Sequence, residues 1–171
     1  EDGIRDYKVT GVQTCALPIS VSAEWIDPTG ELDDFQIDAG LRIQGGAFRS
    51  VGLSLKHSLR LLFSSQYGPP KLRKPIFGND ASDAIDTITL RANANDGYAW
   101  SDALNQPLYI RDTFGRETVL DMGNVSSHHK FCHLYINGIY WGLYEALERP
   151  DHSFSAAYFR SEEHTSELQS P

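Results

Sequence analysis

The side chains able to do chemistry fall into a few groups. Lys56 follows the glycine pair Gly45-Gly46 by one connection and sits in a run of alternating residues. An ammonium there is a compact charge suited to a phosphate, and backbone donors near two glycines can approach the same anion; the plain alternative is an exposed strand lysine. His128, His129, Cys132 and His133 are all metal-ligand types. Strand alternation sends Cys132 and His133 to opposite faces, which works against tetrahedral closure, and a polar loop with one strand histidine accounts for the group. Asp33, Asp34 and Asp38 read as a solvated face, since nothing orders them around a cation. The sequence contains no G-x-x-x-x-G-K-[ST], no G-x-S-x-G and no H-E-x-x-H.

The elements that must position these residues are legible from periodicity and turn chemistry. In residues 131–151, FCHLYINGIYWGLYEALERPD, Asn137-Gly138 divides two aromatic and β-branched runs and accepts the positive φ values of a type I′ turn. A hairpin is predicted, ended by Pro150, with a helix starting at Asp151-His152-Ser153-Phe154. Upstream, residues 23–27 form a short predicted strand closed by the turn Asp27-Pro28-Thr29-Gly30. Residues 35–44 alternate as a strand ended by Gly45-Gly46, and residues 53–63 alternate as the next, with Lys56 and Arg60 on one side. Prolines make 67–75 a loop, and 86–92 is a further strand before the turn-rich stretch 93–97. A helix is predicted from Pro107 to Met122, with Tyr109, Ile110, Phe114 and Leu120 on its apolar period and Gly123 at its C-terminal cap. The order is three strands, a loop, a strand, a helix, a hairpin and a helix. That is α+β with an antiparallel sheet and packed helices, with too few βα alternations for a doubly wound fold.

The chain has 171 residues and a formal net charge of −8, with no basic stripe, so nucleic acid is not an expected partner. No run approaches the roughly 20 apolar residues that span a bilayer. Both ends read as translated sequencing adapter: RSEEHTSELQS at 160–170, and VTGVQTCALPI at 9–19 as its reverse complement. Residues 1–20 and 160–171 are therefore expected to be non-native, and residues 21–159 to be a partial domain. Cys132 is then the one cysteine of the natural stretch, so neither a disulfide framework nor a thiolate cluster is expected.

Residues 21–159 resemble the CotH kinase family, named for a spore-coat protein, especially its large bacterial secreted or envelope members. The resemblance is carried by GLRIQGGAFR at 40–49, KHSLRLLF at 56–63, YGPPKLRKPIFG at 67–78, LRANANDG at 90–97, YIRDTF at 109–114 and LYINGIYWGLYEALERPD at 134–151. It implies an atypical protein-kinase fold, of which this stretch resembles the N-terminal, ATP-holding lobe, with ATP and magnesium as cofactors and serine of a coat or surface protein as acceptor. It further implies that Lys56 holds ATP phosphate, that Gly45 and Gly46 form the small-residue turn before it, and that Glu117 on the 107–122 helix is the acidic partner of Lys56. Residues 145–149, Glu148 among them, would border the adenine. The family's catalytic and metal-binding aspartates lie downstream of the hinge, so no catalytic residue is expected here and the polypeptide is expected to be inactive. Secretion, or a place in the envelope or spore coat, is implied by the same resemblance. The alternative is a non-catalytic coat or surface module that keeps the fold for binding.

Overall fold

The computed structural model describes residues 17–100 and 107–159. A single antiparallel sheet organises them: β1 (Ile19–Trp25), β2 (Phe35–Gln44), β3 (Ser58–Leu62), β4 (Thr87–Arg91), β5 (His129–Ile136) and β6 (Ile139–Glu148), in the order β1-β2-β3-β4-β6-β5. Two helices accompany it, α1 (Arg111–Asp121) between β4 and β5, and α2 (His152–Phe159) after β6. The α+β class and the order of elements agree with the periodicity of the sequence.

Local chemistry explains where the elements start and stop. Asn137 and Gly138 have φ of 51° and 77°, the left-handed pair that a type I′ turn needs. Leu134 pairs with Gly142 and Tyr135 with Tyr140, so Trp141 is the extra residue of a bulge. Gly142, at φ 110°, accommodates it. Asp151 caps α2 by accepting the backbone N–H groups of Ser153 at 3.1 Å and Phe154 at 3.4 Å. Gly123 ends α1 at φ 76°, its N–H reaching the Leu120 carbonyl while Asn124 N–H reaches Val119, the paired bonds of a Schellman cap.

Two expectations are corrected. The strand predicted over 53–63 is only β3 (Ser58–Leu62), and residues 51–57 form turns and an isolated bridge. Ser54 Oγ accepts the Lys56 N–H at 3.2 Å and donates to the Lys56 carbonyl at 3.0 Å, and this local closure replaces the ladder that alternation alone would suggest. Lys56 is therefore on the connection that enters β3. The helix predicted from Pro107 begins instead at Arg111, because Tyr109 adopts φ 64°, outside the helical region. Its first turn is capped from a distance: the Asp96 carboxylate accepts the N–H groups of Leu108 and Arg111, each at 3.2 Å.

One sheet face is apolar. Leu59, Ile88, Leu90, Ala146 and Tyr144 share it, and the long connection 63–86 folds across it, contributing Phe63, Leu72, Ile76, Phe77 and Ile85 to the core. Leu72 and Ile85 exchange backbone hydrogen bonds of 2.7 and 3.0 Å that close this loop on itself. The loop also crosses β2 at close range: a Cβ on Gly68 would lie 2.7 Å from the Asp38 carbonyl oxygen. Gly68→Ala should therefore lower stability by about 1–3 kcal/mol, as overpacking against backbone does. A urea midpoint unchanged from wild type would show that the loop moves aside without cost.

Candidate functional site

The opposite sheet face is polar. Antiparallel register aligns Arg42, Arg60, Thr89, Leu147 and His129 in one row across β2, β3, β4, β6 and β5. Directly opposed residues share a face, so the neighbouring row holds Gln44, Ser58, Arg91 and Glu145. Gln44 Nε2 donates to Thr89 Oγ1 at 3.3 Å, and Arg60 Nη2 donates to Thr87 Oγ1 at 3.3 Å. Several buried polar atoms on or against this face have no hydrogen-bond partner among the described residues: Gln44 Oε1, Arg60 Nε, Arg116 Nε, His129 Nδ1 and Glu145 Oε2. Buried polar atoms are ordinarily satisfied, so these are the open donors and acceptors of this face, available to water or to a polar ligand.

Helix α1 is held against this face by charge. It buries none of its residues, and two residues of its apolar period are turned outward, Ile110 at 52% and Phe114 at 72% exposure. The inward stripe is Asp112, Thr113, Arg116 and Glu117, spaced at i, i+1, i+4 and i+5. Asp112 pairs with Arg91 of β4 and Arg116 with Glu145 of β6, while Thr113 Oγ1 donates to Glu145 Oε1 at 2.8 Å. Glu145 is fully buried. His129 joins the cluster, Nε2 lying 2.7 Å from Glu117 and Nδ1 3.1 Å from Glu145, the second off the hydrogen-bonding direction. Apolar periodicity could not reveal this attachment. The signals that could were the polar stripe at helical spacing and the lone acid in the run Leu143-Tyr144-Glu145-Ala146-Leu147.

The structure does not bring Lys56 and Glu117 together. Lys56 Nζ donates to the Leu143 carbonyl and lies over two tyrosine rings, 4.5 Å from the centre of Tyr144 and 5.7 Å from that of Tyr109. No carboxylate forms an ion pair with it among the described residues. Half-burial disfavours its ammonium and holds its pKa below the ordinary lysine value. Burial likewise pushes the nearby Cys132 thiol up to about 11. Glu117 is taken by His129, as above. Gly45 and Gly46 end β2, Gly45 at φ 126°, and nothing lies within 4 Å of the place a Cβ would take on Gly46.

Glu148, expected beside a nucleotide base, is 2% exposed and heavily engaged. Its carboxylate accepts the His128 N–H at 3.0 Å, the Tyr158 hydroxyl at 2.7 Å and the Ser82 N–H at 3.3 Å, and faces His128 Nδ1 at 2.8 Å. It lines a shallow pocket with Asp86, Thr87, Arg149, Ser153 and Phe154. The histidines and Cys132 considered as metal ligands are dispersed: His128 is on Glu148, His129 on Glu117 and Glu145, and His133 Nδ1 is 2.8 Å from the Tyr140 hydroxyl. Among the described residues, no three His, Cys, Asp or Glu side chains are placed to hold a metal ion.

A single antiparallel sheet, with one helix inserted between its fourth and fifth strands and tied to the fourth by an ion pair, is the frame on which the family comparison falls. The profile of the family described as CotH kinase protein matches residues 41–168, well over half of the chain. The chain belongs to the CotH kinase family. No curated protein matches it significantly. No solved structure does so either.

Proposed function

We propose that this chain supplies the ATP-holding part of a CotH-type protein kinase, which transfers a phosphoryl group from ATP to serine of a coat or surface protein. What supports this reading is the polar sheet face with its unpartnered atoms and the ion pair at its edge. Protein kinases place a cation on the strand before their regulatory helix and pair it with an acid on that helix, while a glycine-containing connection covers the phosphates. Here the strand before α1 is β4, its cation is Arg91 and the helix acid is Asp112. We therefore give Arg91 the phosphate-holding role, with the connection that begins at Gly45-Gly46 as the glycine-containing cover. Lys56 lies on that connection and would have to leave the Leu143 carbonyl to reach a phosphate.

The residues fit the two components of MgATP unequally. The Arg91 guanidinium suits phosphate oxygens. The described residues offer no carboxylate set for magnesium, and no step is assigned to the metal. Residues 21–159 are read as the kinase-derived portion, and secretion or a place in the envelope or coat as its setting. No helix of the described residues is long and apolar enough to cross a membrane.

Calorimetry of ATP with magnesium on the full chain tests the reading, comparing wild type with Arg91→Ala and Lys56→Ala and checking each for folding by thermal melt. Wild type should bind, and Arg91→Ala should weaken binding at least about tenfold, the loss of one charge-assisted contact. Loss with Lys56→Ala alone would return the phosphate to Lys56. No binding by folded wild type would favour the non-catalytic binding module, for which Tyr135, Tyr140 and Trp141 stand exposed on the hairpin.

A further inference from the structure

Away from the Arg91–Asp112 pair, the same face holds a second concentration of positive charge. Arg42 and Arg60 are directly opposed across β2 and β3, an arrangement in which like charges repel. Arg149, just past β6, joins them: Arg60 Nη2 and Arg149 Nε each lie 3.6 Å from the same Asp151 oxygen, Oδ2. Arg42 makes no ion pair among the described residues. Asp151 is also committed through Oδ1 to capping α2, and Asp86 is the remaining acid that acts on Arg60. Arg60 is largely buried, at 14% side-chain exposure, yet its Nε donor is unmatched. Three guanidinium groups with two acids leave an excess positive charge, and one inward donor lacks an acceptor.

We infer that Arg42, Arg60 and Arg149 form an oxyanion site that takes a phosphate group. A tetrahedral anion between these side chains would accept from Arg60 Nε, relieve the Arg42–Arg60 repulsion and match the forked donors of guanidinium groups. The source is either free phosphate or the phosphate of a larger molecule such as a nucleotide. The site does not rest on the ATP reading, because none of its residues belongs to the Arg91–Asp112 pair.

Titrating inorganic phosphate into the full chain at constant ionic strength, with chloride as the reference anion, tests the site by calorimetry and thermal melting. Saturable binding and a raised melting temperature are expected for wild type. Arg42→Gln should weaken binding by about tenfold or more, while Arg73→Gln, on the 67–75 loop, should leave it unchanged. Arg60→Gln could unfold the chain, because Arg60 also holds Thr87 and Asp151, so Arg42, which makes no ion pair among the described residues, carries the comparison. If ATP binds with the same dependence on Arg42 and inorganic phosphate does not, the anion is a nucleotide phosphate and the site stands. The inference is overturned if neither anion shows saturable binding dependent on Arg42, or if Arg73→Gln loses as much as Arg42→Gln. Failure of ATP binding through Arg91 leaves an Arg42-dependent phosphate response intact, so the two readings fail separately.

Discussion

Glu145→Ala is expected to destabilise the chain by about 3–5 kcal/mol, the cost of leaving buried partners of a broken ion pair uncompensated. The carboxylate is fully buried, and the two basic groups it faces are nearly so: the Arg116 side chain is 15% exposed and that of His129 9%. Removing it strands Arg116, leaves His129 with Glu117 alone and frees Thr113 Oγ1. The consequence should extend beyond β6, because α1 has no buried apolar residue to keep it in place. Urea unfolding would read the stability, and amide exchange along residues 111–121 would read the helix. Replacing the pair together, as Glu145→Leu with Arg116→Leu, should recover much of the loss, since an apolar pair incurs no desolvation penalty. A Glu145→Ala midpoint within about 1 kcal/mol of wild type would show that α1 is held in some other way.

The second large effect is expected at Glu148. This side chain gathers groups from three places: Ser82 on the loop before β4, His128 at the start of β5, and Tyr158 on α2. Burial, and then the carboxylate it donates to, push the Tyr158 hydroxyl well above the ordinary tyrosine pKa, so it stays a proton donor throughout the physiological range. Glu148→Ala orphans several donors at once, and a loss of about 3 kcal/mol is expected from unsatisfied buried groups. Tyr158→Phe removes the bond to Glu148 and the one accepted from the Ser82 N–H at 2.9 Å, but leaves the carboxylate in place, and should cost about 1–2 kcal/mol. Limited proteolysis should cut α2 in the Glu148 variant before the rest of the sheet opens. Equal, small losses from both substitutions would refute the idea that Glu148 clasps α2 to the sheet.

Tyrosine and histidine positions around these two acids show how far the sequence could be read. The hairpin needed no tertiary information: Asn137-Gly138 prefers the left-handed pair of φ values on its own account, and the flanking runs carry strand periodicity. The Asp151 cap, the Gly123 cap and the strand over 35–44 were legible for the same reason, as each depends on a residue and its near neighbours in the chain. The alternation over 53–63 misled, because Ser54 satisfies backbone groups of Lys56 locally and ends the ladder before β3. The apolar period of the 107–122 helix misled more seriously. That period marks a side that stays largely exposed, whereas α1 faces the sheet with Asp112, Thr113, Arg116 and Glu117.

The sequence by itself determined the α+β class, the order of the elements, the hairpin and the family, since periodicity, turn chemistry and local motifs are properties of short stretches. Only the tertiary structure decided which charges meet. The partners Arg91 and Asp112, Arg116 and Glu145, Glu148 and Tyr158, and Arg42 and Arg60 lie between 10 and 29 positions apart in the chain. Their meeting depends on strand order and register. A charged side chain has no sequence periodicity that announces its partner, because the partner is set by strand register and not by its neighbours in the chain.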